Sequence, residues 1–242
     1  MPPQGPPGQV GRPYGGRSPD ERRAERRRRL LAAALELYGT AGFRNTSVAQ
    51  VCRAAKVAPA KFYEEFSTSD DLLVTLCLGI WEPVRDRVLA DMGAAAPSVP
   101  RMMRAGVEAY CRGLLEDPRK ARVLCIELRT MPQLAEAARH DQIVQFGTLS
   151  RVGFLAVNAM AAEPLLDERQ LTTLAVALVG AIDEAVRHWL DGPEPRPPVD
   201  DLVETLVTVY QAVGTYLVNG GSRSRQDPQP SSASSASSAS SS

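Results

Sequence analysis

Apolar residues recur three and four positions apart along most of this chain, and no long run alternates in the manner of a strand. The first such run puts Leu30, Leu31, Ala34, Leu37 and Tyr38 on one face, the period of a helix laid against a core. Ser18-Pro19-Asp20-Glu21 opens it as a capping box, with Ser18 as N-cap, Pro19 at the first helical position and Glu21 reaching back to the cap amide. Gly39 and Gly42 are expected to close it. A second helix is predicted to start at Thr46 as N-cap, with Val48, Val51, Cys52 and Ala55 on its apolar face. After a break at Lys56 and Val57, Pro59 fits the first turn of a third helix, in which Phe62 and Phe66 share one face and Lys61 and Glu65 another. Thr68, with Asp71 three residues on, caps a fourth and longer one.

From Leu72 onward, breaks at Pro83, Pro97, Pro100, Pro118, Pro132, Pro164 and the cluster Pro193 to Pro198 divide the chain into five or six further helices. Pro83 either kinks the fourth helix or ends it early. Two late segments are broadly apolar. LTTLAVALVGAIDEAVRHWL aligns Leu171, Leu174, Leu178, Ile182, Val186 and Trp189, and VDDLVETLVTVYQAVGTYL aligns Leu202, Leu206, Val209, Val213 and Leu217. Each offers more apolar surface than one core needs. The Pro-, Gly- and Gln-rich residues 1–17 and the Ser/Ala-rich residues 220–242 cannot bury enough apolar surface to offset ordering entropy, so both tails are expected to be disordered.

Composition sharpens this picture. The chain is 44% hydrophobic but only 5% aromatic, and its runs are rich in Ala, Leu, Val and Arg, so the expected fold class is all-α. No apolar run reaches membrane-spanning length and the N-terminus lacks the apolar segment of a secretory signal, which predicts a cytoplasmic protein with no membrane partner. Cys52, Cys77, Cys111 and Cys125 are too widely spaced to clip zinc and read as reduced core residues. The only histidines are His140 and His188, with no nucleophile elbow, no Gly-rich phosphate loop and no clustered metal ligands, so neither an enzyme nor a cofactor is expected. Asp183, Glu184, Arg187 and His188 share one helix, where pairs such as Asp183 with Arg187 are more often structural than catalytic. The formal net charge is zero, yet Asp20 to Arg29 packs six arginines against three acidic residues.

Two short helices joined by a tight turn after a longer support helix form a helix-turn-helix unit. The runs LLAAALELYGTAGF, TSVAQVCRAAKV, FYEEF and DDLL resemble the N-terminal domain of the TetR family of bacterial transcriptional repressors, over about Leu30 to Leu72. The resemblance implies a DNA-binding domain over residues 18–68 and a helical ligand-binding and dimerisation domain over 69–219. It implies too that the last two long helices pair with those of a second subunit, which makes Leu174, Leu178, Ile182, Val186, Trp189, Leu206, Val209 and Val213 the expected interface of a homodimer. A palindromic double-stranded operator follows from that symmetry. The chain departs from the family pattern at three places. Lys56 stands where the family has Gly and must adopt a left-handed conformation, Ala58 replaces a hydroxyl residue, and Ser69 replaces a lysine.

Two phosphate contacts are thereby missing, and the arginines before Leu30, which the family uses as an arm, are placed to offset them. The expected DNA contacts are Arg26, Arg27, Arg28 and Arg29 of the arm, Arg44 and Thr46 ahead of the second helix, and Pro59, Ala60, Lys61 and Tyr63 on the recognition helix. Glu64 and Glu65 either pair with Lys61 or Arg44 or accept from a cytosine amino group. For a small, mainly apolar effector, the candidate lining is Leu76, Ile80, Trp81, Met103, Tyr110, Leu128, Phe146, Leu149 and Phe154, with Glu127 and Arg187 as polar groups to orient it. The rival reading is a non-specific nucleic-acid-binding or membrane-surface protein acting through the arginine-rich arm.

Overall fold

The computed structural model describes residues 18–96, 98–131 and 166–219, and every regular element among them is a helix, as the sequence predicts. Helix α1 (Pro19–Thr40) starts in the expected capping box, with Ser18 accepting from the Glu21 amide and Glu21 returning to the Ser18 amide. It runs through Gly39, which is needed because a side chain there would collide with Arg119. Gly42, at φ 91°, makes the left-handed turn that follows.

Helix α2 (Val48–Ala55) is capped by Ser47 and Gln50 rather than by Thr46, which is buried with its hydroxyl donating to the Gly42 carbonyl. Its C-cap is Lys56, left-handed at φ 53° as its place in the turn demands. The short helix α3 (Pro59–Tyr63) follows from Ala58, which provides no side-chain cap.

Helix α4 (Ser69–Ala95) is capped by Thr68 and continues past Pro83, so that proline does not end the helix early. One proline interior to a helix costs about 3 kcal/mol, and the burial of Ile80, Trp81, Val84 and Val88 around it outweighs that penalty. The upper part of α4, at Leu72 and Leu73, is buried in the core together with Val51, Phe62 and Phe66, and α4 packs against α1 and along α5 (Val99–Leu115). One helix therefore belongs to both halves of the chain.

Helix α6 (Pro118–Arg122) continues through a π-helical turn (Val123–Glu127) into a 3-10 turn (Leu128–Thr130) and lies against α1. Helices α7 (Glu168–Asp191) and α8 (Val199–Asn219) complete the described part, with α8 packed on α5. The buried residues form one continuous core from Leu30 to Tyr210 that includes all four cysteines, each a free thiol. Both tails, and with them Phe146, Leu149 and Phe154, lie outside the described residues. No helix among the described residues is long and apolar enough to cross a membrane.

Candidate nucleic-acid interface and adjoining cleft

Helix α3 presents Pro59, Ala60, Lys61 and Tyr63 outward, with Tyr63 60% exposed, while Phe62 and Phe66 are fully buried beneath it. Ser47, Gln50, Arg53 and Lys56 are exposed on the neighbouring helix α2 and its cap, and sequence reasoning missed them. The Ser-x-x-Gln spacing from Ser47 to Gln50 is the signal that marks the true start of α2. Of the residues placed ahead of that helix, Arg44 is exposed and donates to the Thr130 carbonyl, whereas Thr46 is buried and serves the fold of the head.

The recognition helix is held by the arginine arm. Glu65, with a fully enclosed side chain, accepts from Arg23 Nε at 3.2 Å and from Arg26 Nε at 3.0 Å. Arg27 donates to the Glu65 carbonyl at 3.1 Å and stacks 4.4 Å above the Phe66 ring. Burial by itself would raise the Glu65 pKa, but the hydrogen bonds from Arg26 and Arg23 outweigh it and hold the carboxyl below the usual glutamate range. Arg26 and Arg27, both half-buried, are thus engaged by the protein's own groups, which leaves Arg28 and Arg29 as the more exposed of the four expected phosphate contacts. Among the described residues Arg28 pairs with half-buried Glu25 at 2.7 Å, and Arg29 lies on the surface with a 3.4 Å bond to the Lys56 carbonyl. Glu64 bonds Lys61 at 2.7 Å and approaches Arg26 at 3.6 Å, so the ion-pair reading of the two glutamates holds with arm arginines in place of Arg44.

A strap from α6 onward fastens this head to the rest of the chain. Glu127, 5% exposed, accepts from the Phe43 amide at 2.8 Å and lies 3.4 Å from Arg122 Nε, and Arg119 pairs with Glu36 beside Gly39. Glu127 therefore orients the α1–α2 turn and not a ligand. Arg187 is engaged with Glu184 and Asp191 on the surface of α7.

Beneath the strap, α1, α4 and α5 diverge around an open cleft of about 960 Å³. Leu31, Ala32 and Leu35 form one wall, Leu76, Gly79, Ile80 and Val84 the floor, and Ala105, Ala109 and Gly113 the other wall. Charged residues stand at the rim, and most pair with one another or with neighbours, as in Arg87 with Asp91 and Arg112 with Asp200, both at 2.9 Å. Leu76 and Ile80 are the expected lining residues that the cleft uses. Trp81 instead packs edge-on against Tyr110, Met103 sits beneath Gly214, and Leu128 is core. Tyr110 donates to Asp183 at 2.5 Å, with Arg129 at 3.5 Å from the same carboxylate, which burial pushes above the ordinary aspartate range. These groups are built into packing and are not part of the lining of this cleft.

The expected dimer residues divide. Leu178, Ile182, Val186 and Leu206 are buried within their own protomer, Leu174, Trp189 and Val213 partly so, and only Val209 is exposed. The face that α7 and α8 leave uncovered carries Val176, Ala177, Gly180 and Ala181 together with Val209, Ala212 and Tyr216.

Against known proteins, residues 30–76 match the family model described as bacterial regulatory proteins, tetR family. The chain is similar to the HTH-type transcriptional regulator HbdR of Aromatoleum sp. (strain CIB), 29% identical over 100 residues. That match spans 41% of this chain and 43% of the relative, less than half of either. The fold is similar to that of a transcriptional regulator from Pseudomonas aeruginosa PAO1, with a TM-score of 0.67 at 15% identity over 84% of this chain and 95% of the other. It is similar as well to the FadR of Bacillus subtilis solved with stearoyl-CoA, with a TM-score of 0.58 at 20% identity over 80% and 98% of the two chains.

Proposed function

From the premise that this chain is a DNA-binding transcriptional regulator of the TetR family, we infer that it works as a homodimeric, ligand-responsive repressor on an inverted-repeat operator in the cytoplasm. The observation that carries the reading is the recognition helix itself. It is short, exposed at Pro59, Ala60, Lys61 and Tyr63, and immobilised from behind by Phe62, Phe66 and the Glu65 clamp. A surface pinned in this way suits reading base edges in one register, because a mispositioned side chain cannot form directional contacts in the major groove. Residues 18–68 are assigned as the DNA-binding domain, and 69–219 as the domain that binds the effector and pairs the subunits.

Dimerisation is assigned to the exposed residues of α7 and α8, the small residues Ala177, Gly180 and Ala181 on one helix and Val209 and Tyr216 on the other. A second copy on that face gives the two-fold symmetry an inverted repeat requires. Response to a small molecule is supported by the cleft and by the FadR neighbour, whose structure contains stearoyl-CoA. The rival reading, non-specific attraction through the arginine arm, is weakened by the commitment of Arg26 and Arg27 to Glu65 and Phe66. Pull-down of genomic fragments by the full chain tests the function. Discrete enriched fragments are expected, and Lys61→Ala together with Tyr63→Ala is expected to abolish the enrichment. Uniform recovery of the genome, unchanged by these substitutions, contradicts it.

A further inference from the structure

We propose that the cleft between α1, α4 and α5 is the effector site, that it takes a neutral, mainly apolar molecule, and that its occupant acts on the recognition helix through α1. This inference rests on the ligand-responsive reading above and adds the place, the chemistry and the route. The volume, about 960 Å³, is at the upper end of what small-molecule sites use. The interior offers Leu31, Leu35, Leu76, Ile80 and Val84, with no charged group on the floor. At the rim the charges balance, Lys120 being matched in number by Glu116 and the others lying in pairs. Arg28 faces Glu25, Arg87 faces Asp91, Arg112 faces Asp200 and Glu108 faces Arg104, so a charged ligand meets no net field to favour it. An apolar occupant gains from burial alone.

The site is open because small residues line it. A side chain added at Gly79 meets no atom within 4 Å, and Ala32 is exposed across from it on α1. The same stretch of α1 links cleft to DNA. One or two turns before Leu31 and Leu35, it bears Arg23, Arg26 and Arg27, which hold Glu65 and Phe66 at the end of the recognition helix. One turn after, Glu36 and Gly39 are fixed by Arg119, whose neighbour Lys120 stands at the rim of the cleft. A molecule that parts α1 from α4 thus pivots α1 about the Arg119 and Glu127 contacts and carries the clamp with it. Only a ligand that prefers the parted state shifts the balance.

The test uses the full chain without DNA and the neutral fluorescent probe N-phenyl-1-naphthylamine. Wild type is expected to bind the probe, and 1-decanol to displace it at least as well as decanoate or decylammonium. Gly79→Phe and, from the opposite wall, Ala32→Phe are expected to weaken probe binding by at least about tenfold, whereas Gly79→Ala leaves it within about twofold. Helical content and melting temperature verify that the filled variants fold, and replacing a helical Gly favours the helix. Both fillers are also expected to lower operator affinity without any ligand, because they stand in for it. Probe binding unchanged in both fillers, or far tighter binding of a charged amphiphile, overturns the site. Exclusion of the probe with operator affinity untouched overturns the route through α1. If the probe fills the cleft of wild type and the operator stays bound, the ligand-responsive reading fails while the site stands. If specific DNA is bound but the fillers leave the probe untouched, the site fails and the regulator stands.

Discussion

Replacing Glu65 removes the buried acidic group that ties the arginine arm to the recognition helix. In the wild type its carboxylate accepts from Arg23 and Arg26, but Arg23 is 64% exposed and Arg26 only 19%. The Arg23 bond contributes little against competing water, so the loss is dominated by Arg26. Stranding one member of a buried pair costs about 3–5 kcal/mol, and here Glu64 at 3.6 Å offers Arg26 a partial substitute. We therefore expect Glu65→Ala to cost about 2–3 kcal/mol, and Glu65→Gln, which keeps the shape and one acceptor, about 1–2 kcal/mol. For a chain of this size that is roughly 4–12 °C in melting temperature for the alanine variant. The pH dependence has a definite sign. The folded pKa of Glu65 is lowered, so its stabilisation is present above the unfolded value of about 4.3 and is lost as pH falls through the lowered folded value. Urea melts of wild type and Glu65→Gln across that window should converge on acidification, and amide exchange over residues 59–66 should be faster in both variants at neutral pH. A Glu65→Ala protein as stable as wild type, or a gap to Glu65→Gln that stays constant into acid, refutes the clamp.

Three further outcomes follow from the geometry. Arg28→Ala and Arg29→Ala should each lower the log-log salt slope of DNA binding by about 0.9, whereas Arg26→Ala and Arg27→Ala should weaken binding with the slope unchanged, because the first pair is available to phosphates and the second is not. Lys56→Gly should raise stability by up to about 1 kcal/mol in thermal melts, since it relieves a left-handed non-glycine residue. Val176→Asp with Val209→Asp should give a folded monomer on sedimentation, whereas Leu178→Asp should unfold the protomer, because only the first two side chains face outward.

Local features of this fold were legible in the sequence. The caps at Ser18 and Thr68 and the left-handed Lys56 depend on a few adjacent residues, and the structure has each where the sequence puts it. What failed were judgements that depend on which face turns inward. The resemblance places Leu178, Ile182 and Val186 at the interface of a homodimer, yet all three are buried within their own protomer, whose core takes the largest apolar side chains first. The remaining face of small residues is the one left over. Large aromatics such as Trp81 and Tyr110 fill space, and this cleft forms where Gly79, Ala32, Ala105 and Ala109 leave it unfilled, so of the expected effector residues it takes Leu76 and Ile80. Glu127 is visible as a polar group in an apolar run, but the Phe43 amide that it accepts from lies 84 residues away, and the arginines that hold Glu65 lie 39 and 42 residues away, where no local pattern pairs them.

Selection of bound duplexes from a random library tests the central claim most directly. The full chain, at about 150 mM salt where non-specific attraction is suppressed, should enrich an inverted repeat whose two half-sites lie about one helical turn apart. Each bound duplex should carry an even number of protomers, and Tyr63→Ala should erase the preference. Recovery of duplexes with no shared sequence, or of a single unrepeated half-site, contradicts a symmetric regulator that reads DNA through α3.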